Sequence, residues 1–245
     1  MYAITGANGQ LGRLVVKVLL RSVAPEQLRL TSRDACKLAD FSSRVHQTVT
    51  ADFADLRSME KAFSEVTTVL LISGDGPNEV RMKHHRNAID AAKVAGVQRI
   101  VYTSFANPTR MSFFPFAWAH ADTEEYLLSS GLNYTILRNN QYAENINGAL
   151  EYAKQTGVLS LPAPHGKIAH ITRSDAAEIA ASVLTGSDHE NRIYEVTGPE
   201  AVNLSHIAAV LSQTWNRRIE AADMAPETFA CFLPPACSVR MLLRK

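Results

Sequence analysis

Through the first 137 residues, short apolar runs alternate with longer segments of helical period, and that alternation leaves few folds open. The runs occupy residues 2–5, 28–31, 45–49, 69–72, 100–103 and 134–137. Between them stand "LGRLVVKVLLRS", "LRSMEKAFSEV", "VRMKHHRNAIDAAKVAG" and "WAHADTEEYLLSSG". Each is long and periodic enough for a crossover helix. Parallel strands need such crossovers, so this pattern predicts a parallel sheet covered by helices on both faces. "VLLI" and "RIVYT" are apolar at successive positions, as strands buried on both faces should be. Gly96 and Gly131 stand where a helix gives way to the next strand. The expected class is α/β, a Rossmann-type doubly wound parallel sheet.

Past residue 140 the pattern loosens. A helix is expected near 145–154, a short strand near 167–171, a strand at 194–197 and a helix near 204–214. Another helix should begin around Ser174, whose hydroxyl can cap its free N–H groups, and run to about Leu184. The predicted division is a dinucleotide-binding Rossmann domain over residues 1–140 and a smaller C-terminal α/β substrate lobe over 141–245.

With 25 basic and 24 acidic residues the formal net charge is +1. That balance makes no electrostatic case for nucleic acid or an anionic membrane surface. No apolar run approaches the ~18 residues that insertion in a bilayer requires. The chain opens directly on a strand without a basic leader, so a cytoplasmic location is expected. Cys36, Cys231 and Cys237 lack metal-ligand spacing and read as free thiols.

The first apolar run leads into "TGANGQLG", with Gly6, Gly9 and Gly12 at three-residue intervals before an apolar helix. In a strand–loop–helix turn the first glycine permits the bend and the second lets backbone approach a pyrophosphate. The third lets the helix pack close to the strand. The helix N-terminus then offers free N–H groups and partial positive charge. Gly6, Ala7, Asn8, Gly9, Gln10 and Leu11 are therefore candidate cofactor contacts.

The second run closes "LTSRD". Arg33 stands where a guanidinium can take the 2′-phosphate of NADP(H). The alternative is that Arg33 is a solvated charge and Asp34 binds ribose hydroxyls, which would favour NAD(H). Asp52 and Phe53 in "TADFAD" follow the third run, where such folds contact adenine, although Phe53 can equally be core. Ser73, Gly74 and Asp75 end the fourth run at the ligand rim of an open sheet.

Ordinary short-chain dehydrogenases carry Tyr-x-x-x-Lys on the helix after the fifth strand and a serine at that strand's end. Ser104 in "VYTS" stands at the serine position, but none of the seven tyrosines has a lysine four residues on. The helix offers His120 and Glu124 instead, on one face at i and i+4. His120 is read either as a proton donor to the reduced acceptor or as a packed polar residue tied to Glu124. His84 and His85 read as a solvated helix face, since nothing nearby completes a metal set. Phe113, Phe114, Phe116 and Trp118 in "MSFFPFAW" read as core or lid packing, or as a hydrophobic cover for a flat aromatic acceptor.

Taken together, "AITGANGQLG", "SRD", "ADFAD", "LLISG", "HRNAIDAAKVAGVQRIVYTS", "HADTEEYLLSSGLNYTILRNNQYAEN" and "GKIAHITRSDAAEIAASVL" resemble the atypical short-chain, NmrA-like proteins. The resemblance runs to about residue 220 and points to the quinone oxidoreductase and triphenylmethane reductase group. It implies NADPH-dependent hydride transfer to a quinone or another conjugated small-molecule acceptor. It also implies that Asn139, Asn140, Gln141, Tyr142, Ala143 and Glu144 join the cofactor cleft, with Asn140 and Tyr142 walling the acceptor site and Arg173 a further candidate. A different class, a non-catalytic NADP(H)-binding redox sensor, is also compatible with the missing Tyr-x-x-x-Lys. Relatives usually continue for several dozen residues past this terminus, and "FLPPACSVRMLLRK" departs from their pattern. Apolar surface near 229–243 is expected to favour a homo-oligomer or to weaken stability.

Overall fold

The computed structural model describes residues 1–112, 114, 116–162, 164–225 and 228. Phe113, Cys231, Cys237 and the 229–243 stretch lie outside the described residues. The described strands are β1 (Tyr2–Ile4), β2 (Leu28–Ser32), β3 (Gln47–Thr50), β4 (Thr68–Ile72), β5 (Arg99–Phe105), β6 (Asn133–Asn139), β7 (Val158–Leu161), β8 (Arg192–Val196) and β9 (Glu220–Asp223). The helices are α1 (Gln10–Leu19), α2 (Leu56–Phe63), α3 (Asn78–Val94), α4 (Phe116–Ser129), α5 (Asn147–Thr156), α6 (Arg173–Thr185) and α7 (Leu204–Thr214).

Seven strands form one sheet in the order β3-β2-β1-β4-β5-β6-β8, and every neighbouring pair is parallel. The chain runs outward from β1 to β3 and then returns to place β4 on the other side of β1. Strand order therefore reverses between β1 and β4, the place where ligands bind in open sheets of this kind. The expected α/β, doubly wound parallel sheet is the observed one.

Strand alternation builds the core. Ala3, Val69, Leu71, Ile100, Tyr102 and Ile136 point to one face and pack with Met59, Phe63, Ala88, Ile89 and Leu127 from α2, α3 and α4. Their neighbours Ile4, Leu70, Val101 and Leu137 are equally buried, as a doubly covered sheet requires. Two buried arginines at strand starts close helix ends. Arg29 donates to the carbonyls of Ala62 and Ser64 after α2, and Arg99 to those of Val183 and Leu184 in α6. Each cation meets the negative end of a helix whose last carbonyls lack intrahelical partners.

The described chain divides into two units, Met1–Asn139 with Arg173–Val196, and Asn140–Thr172 with Thr197–Lys245. This differs from the expected single cut near residue 140. β8 pairs along β6 from Thr135↔Arg192 to Asn139↔Val196, and α6 packs on α1, so both belong to the large unit. Ser174 falls inside α6 rather than before it. The small unit is built around Ala153, Leu159, Leu204, Ala208 and Ile219, with β7 and β9 paired parallel. The strand expected near 167–171 is two isolated bridges, Ile168↔Val202 and Tyr142↔Ile171, because its residues change partner before a ladder can form.

Candidate functional site

In the large unit the predicted contacts converge on the carboxyl ends of the parallel strands. The turn after β1 is anchored by Thr5, whose hydroxyl donates to the Leu70 carbonyl (3.0 Å) and accepts from the Ile72 amide (2.9 Å). Gly6 follows at φ +58°, a left-handed conformation that costs a side chain but not glycine. The Gly9 amide donates to the Gly6 carbonyl at 2.9 Å. A Cβ on Gly12 would overlap the Gly6 carbonyl oxygen and stand 2.8 Å from Ala7 Cα, so α1 starts at the closest approach its backbone allows. Gly9 caps α1 without a side-chain hydrogen bond, and its first turn holds no acidic residue. Its leading N–H groups and positive dipole end thus suit an anion.

Arg33 follows β2 and is exposed. Asp34 is engaged as a cap, accepting from the Cys36 amide at 3.0 Å. Arg13 of α1 reaches across to Asp40 and to the Lys37 carbonyl, both at 2.6 Å, and holds that segment beside the glycine turn. After β3, Asp52 shapes its own loop by accepting from Ala54 N at 2.9 Å. Phe53 packs on the core edge, its carbonyl accepting from Asn87, with its ring 3.9 Å from where a Cβ on Gly74 would sit. Phe53 and Gly74, singled out separately, are thus neighbours.

At the end of β4, the Ser73 amide donates to Thr103 Oγ1 (3.1 Å), and Ser73 Oγ accepts from Arg81 Nη2 (2.8 Å). This opens a buried polar cluster that sequence reasoning did not find. Arg81 is 5 % exposed, His85 0 %, His120 6 % and Tyr102 0 %. Arg81 Nη2 also reaches His120 Nε2 at 2.9 Å, and His120 Nδ1 meets the Tyr102 hydroxyl at 2.7 Å. A guanidinium only donates, so His120 Nε2 accepts and the ring's proton sits on Nδ1. His85 links Thr123 Oγ1 (2.8 Å) with Ser73 Oγ (3.2 Å).

Burial, reinforced by Arg81, holds His120 well below the ordinary histidine value and brings His85 down to about 3. Burial pushes the Tyr102 phenol upward. All three are therefore uncharged at neutral pH. The expectation of a solvated His84–His85 face is corrected for His85, which faces α4. His120 is not tied to Glu124 either.

Glu124 instead accepts from the Ser104 hydroxyl at 2.5 Å and is gripped by Arg138 through Nε (3.1 Å) and Nη2 (2.8 Å). Asp122, two residues earlier on α4 and also buried, is held by Arg86 at 3.1 and 2.6 Å. Arg81 differs. Among the described residues no carboxylate lies in ion-pair distance of it, and its Nε and Nη1 are buried without an acceptor. The Phe116 ring covers its Cζ at 5.3 Å. Phe116 also meets Phe114 edge-on, and Phe114 stacks on Phe105 at 4.5 Å between centroids. Trp118 lies on α4, half-exposed, its indole donating to the Ser112 carbonyl.

Asn139 ends β6, buried, with its carbonyl accepting from Ala106 N. Arg173 is the first residue of α6 in the large unit. Asn140, Gln141, Tyr142, Ala143 and Glu144 belong to the small unit. There the Gln141 carbonyl accepts from Ile171 N (3.1 Å), and Ala143 N donates to the Ile171 carbonyl (2.9 Å). Tyr142 then leads into a 3-10 turn over Ala143–Ile146.

Residues 6–187 match the family model described as NAD(P)H-binding. Quinone oxidoreductase 2 of Escherichia coli (strain K12) is 36% identical over 95% of this chain and 81% of its own length. The crystal structure of the NADPH-dependent quinone oxidoreductase from Escherichia coli complexed with NADPH superposes with a TM-score of 0.90 at 35% identity. That match covers 99% of this chain and 87% of the other. The Citrobacter sp. triphenylmethane reductase complexed with NADP(H) also gives 0.90, at 31% identity over 95% of this chain and 82% of the other.

Proposed function

Because the chain belongs to the NAD(P)H-binding family and is an NmrA-like, atypical short-chain dehydrogenase/reductase, we propose that it is an NADPH-dependent quinone reductase. The observation that carries this reading is the likeness, over nearly the whole chain, to the quinone oxidoreductase solved with NADPH.

The residues present suit the dinucleotide. The close approach of Gly12 to Gly6, and the uncapped start of α1, make a cradle that accepts a pyrophosphate. In this reading Gly6 to Leu11 hold the pyrophosphate and Arg33 takes the 2′-phosphate. Asp52 and Phe53 border the adenine, and Ser73, Gly74 and Asp75 line the ribose next to the reacting ring. Asn139 and Arg173 are further proposed cofactor contacts in the same unit, and for Asn140 to Glu144 the family resemblance alone supports a cofactor role, with Asn140 and Tyr142 toward the acceptor. The bound dinucleotide supplies hydride. The chain's own task is to orient a flat acceptor and exclude water from the contact. A quinone needs little more, since its reduced oxygen is stabilised by delocalisation and can be protonated by solvent. His120, with no proton on Nε2, serves in this reading to hold Arg81 rather than to protonate the product.

The deciding experiment follows NADPH absorbance with purified protein, with and without 1,4-benzoquinone. Quinone-dependent oxidation is expected. Tight NADPH binding without any quinone-dependent rate removes the enzyme reading and leaves the redox-sensor one.

A further inference from the structure

Among the described residues, Arg81 is the one arginine packed on α4 that is buried without a carboxylate, and this calls for a cause. Arg86 and Arg138 meet Asp122 and Glu124. Arg81 is more deeply buried than either and meets only neutral groups: a hydroxyl of Ser73, the unprotonated Nε2 of His120 and the face of Phe116. A buried cation is costly unless something compensates it, and a buried donor without an acceptor adds to the cost. The chain tolerates both at the carboxyl end of β4, beside the strand-order reversal where ligands bind. Its helical neighbours Phe116 and His120 stand four residues apart on α4, the helix on which ordinary short-chain enzymes carry Tyr-x-x-x-Lys. This region therefore holds a buried cation with no carboxylate in ion-pair contact among the described residues, Asp75 acting on it only at longer range.

We propose that Arg81 is the oxyanion-stabilising residue of this enzyme, its Nη1, buried without an acceptor, donating to the acceptor oxygen that becomes anionic on reduction. This rests on the quinone-reductase reading. The acceptor is reduced by two electrons as hydride while the dinucleotide is oxidised; the negative charge falls on the acceptor oxygen, which takes its proton from water on release. Charge appears on that oxygen only as hydride arrives, so a preorganised cation acts on the transition state more than on the bound quinone. Ser73 and His120 are positioning residues that hold the fork, and Phe116 covers its face.

The test uses 4-nitrophenol as a stand-in for the reduced acceptor, bound to protein saturated with NADP+. Its phenolate band reports ionisation directly and needs no turnover. In the wild-type protein the bound phenol should ionise below its solution pKa. Arg81→Met should abolish that shift, and Arg81→Lys should keep part of it. NADPH affinity, read by fluorescence, should be unchanged in both variants. kcat with benzoquinone should fall on the order of 10²-fold in Arg81→Met, with KM little altered. If Arg81→Met does not fold, the Arg81→Lys shift decides alone. The proposal is overturned if wild-type protein leaves the bound phenol's ionisation unshifted or if the shift survives the substitutions. A loss of NADPH affinity with the phenolate shift intact also overturns it and assigns Arg81 to the dinucleotide. A wild-type protein that shifts the phenol yet reduces no quinone retires the quinone reading and keeps the anion site.

Discussion

The Ser104 hydroxyl donates to Glu124 Oε1 at 2.5 Å, and Glu124 is itself clamped by two nitrogens of Arg138. Ser104 occupies the position of the serine that assists carbonyl reduction in ordinary short-chain dehydrogenases, and its proton is engaged by a buried carboxylate. The pair locks β5 to α4 where other chains keep chemistry. Arg138 is raised further above its ordinary value, mainly by its hydrogen bonds to Glu124. A double-mutant cycle of Ser104→Ala and Glu124→Gln, read by urea denaturation, should give a coupling of about 1–2 kcal/mol. A coupling near zero would show that the carboxylate does not hold the hydroxyl.

Gly12→Ala places a methyl group against the Gly6 carbonyl and Ala7 Cα, both backbone atoms that cannot swing away. The helix must shift from the turn, which costs about 1–3 kcal/mol as overpacking. NADPH affinity should fall with it, because the same shift moves the N–H groups of the cradle. Thermal melting and a fluorescence titration read the two effects. A variant with unchanged stability and NADPH affinity would contradict the close approach.

Arg33→Ala removes an exposed side chain, so stability should stay within about 0.5 kcal/mol of wild type. NADPH should bind roughly 10-fold more weakly, the scale of one charge-assisted hydrogen bond, while NADH affinity stays the same. An unchanged NADPH-to-NADH ratio would take Arg33 out of the 2′-phosphate site and return Asp34 to consideration.

His85, brought down to about 3 chiefly by burial and next by Arg81, sets a pH dependence with a definite sign. Between that value and the ordinary histidine value of about 6.5, the unfolded chain binds a proton that the folded one refuses. Its stabilisation is fully present above about pH 6.5 and is lost as the pH falls through that window. The urea midpoint should therefore drop from about pH 7 to about pH 5, before most carboxylates titrate, and His85→Asn should flatten the drop. An equal drop in both proteins would place the effect elsewhere, His120 being the next group to examine.

Where the candidate cofactor residues lie in the fold was legible because their signals are local. The glycine turn, the Arg33 position and the small residues after β4 each sit within a few residues of a strand end. Parallel topology then brings every strand end to one edge without further information. The Arg81 cluster was not legible in that way. "VRMKHHR" reads as a charged, solvated face, and the polar pairings cross between α3, α4, β4 and β5. One signal did exist. Arg81, His85, Ala88 and Ala92 fall at spacings of four, three and four, which is the buried face of α3 rather than its wet one. Likewise β9, "EAAD", carries no alternation of its own, and its register beside β7 is set by that strand rather than by a local pattern.

The amino-acid order alone determined the α/β class, the parallel sheet and the glycine turn after β1, because short-range periodicity and glycine placement dictate those. Tertiary structure decided what each buried polar residue faces. It sent α6 and β8 back to the large unit, gave Ser104 to Glu124, and left Arg81 with neutral partners at the ligand edge. Those outcomes depend on which side chains meet across elements from 20 to more than 150 residues apart. In a low-dielectric interior that meeting sets whether a charge is cancelled or kept, and no local pattern encodes it.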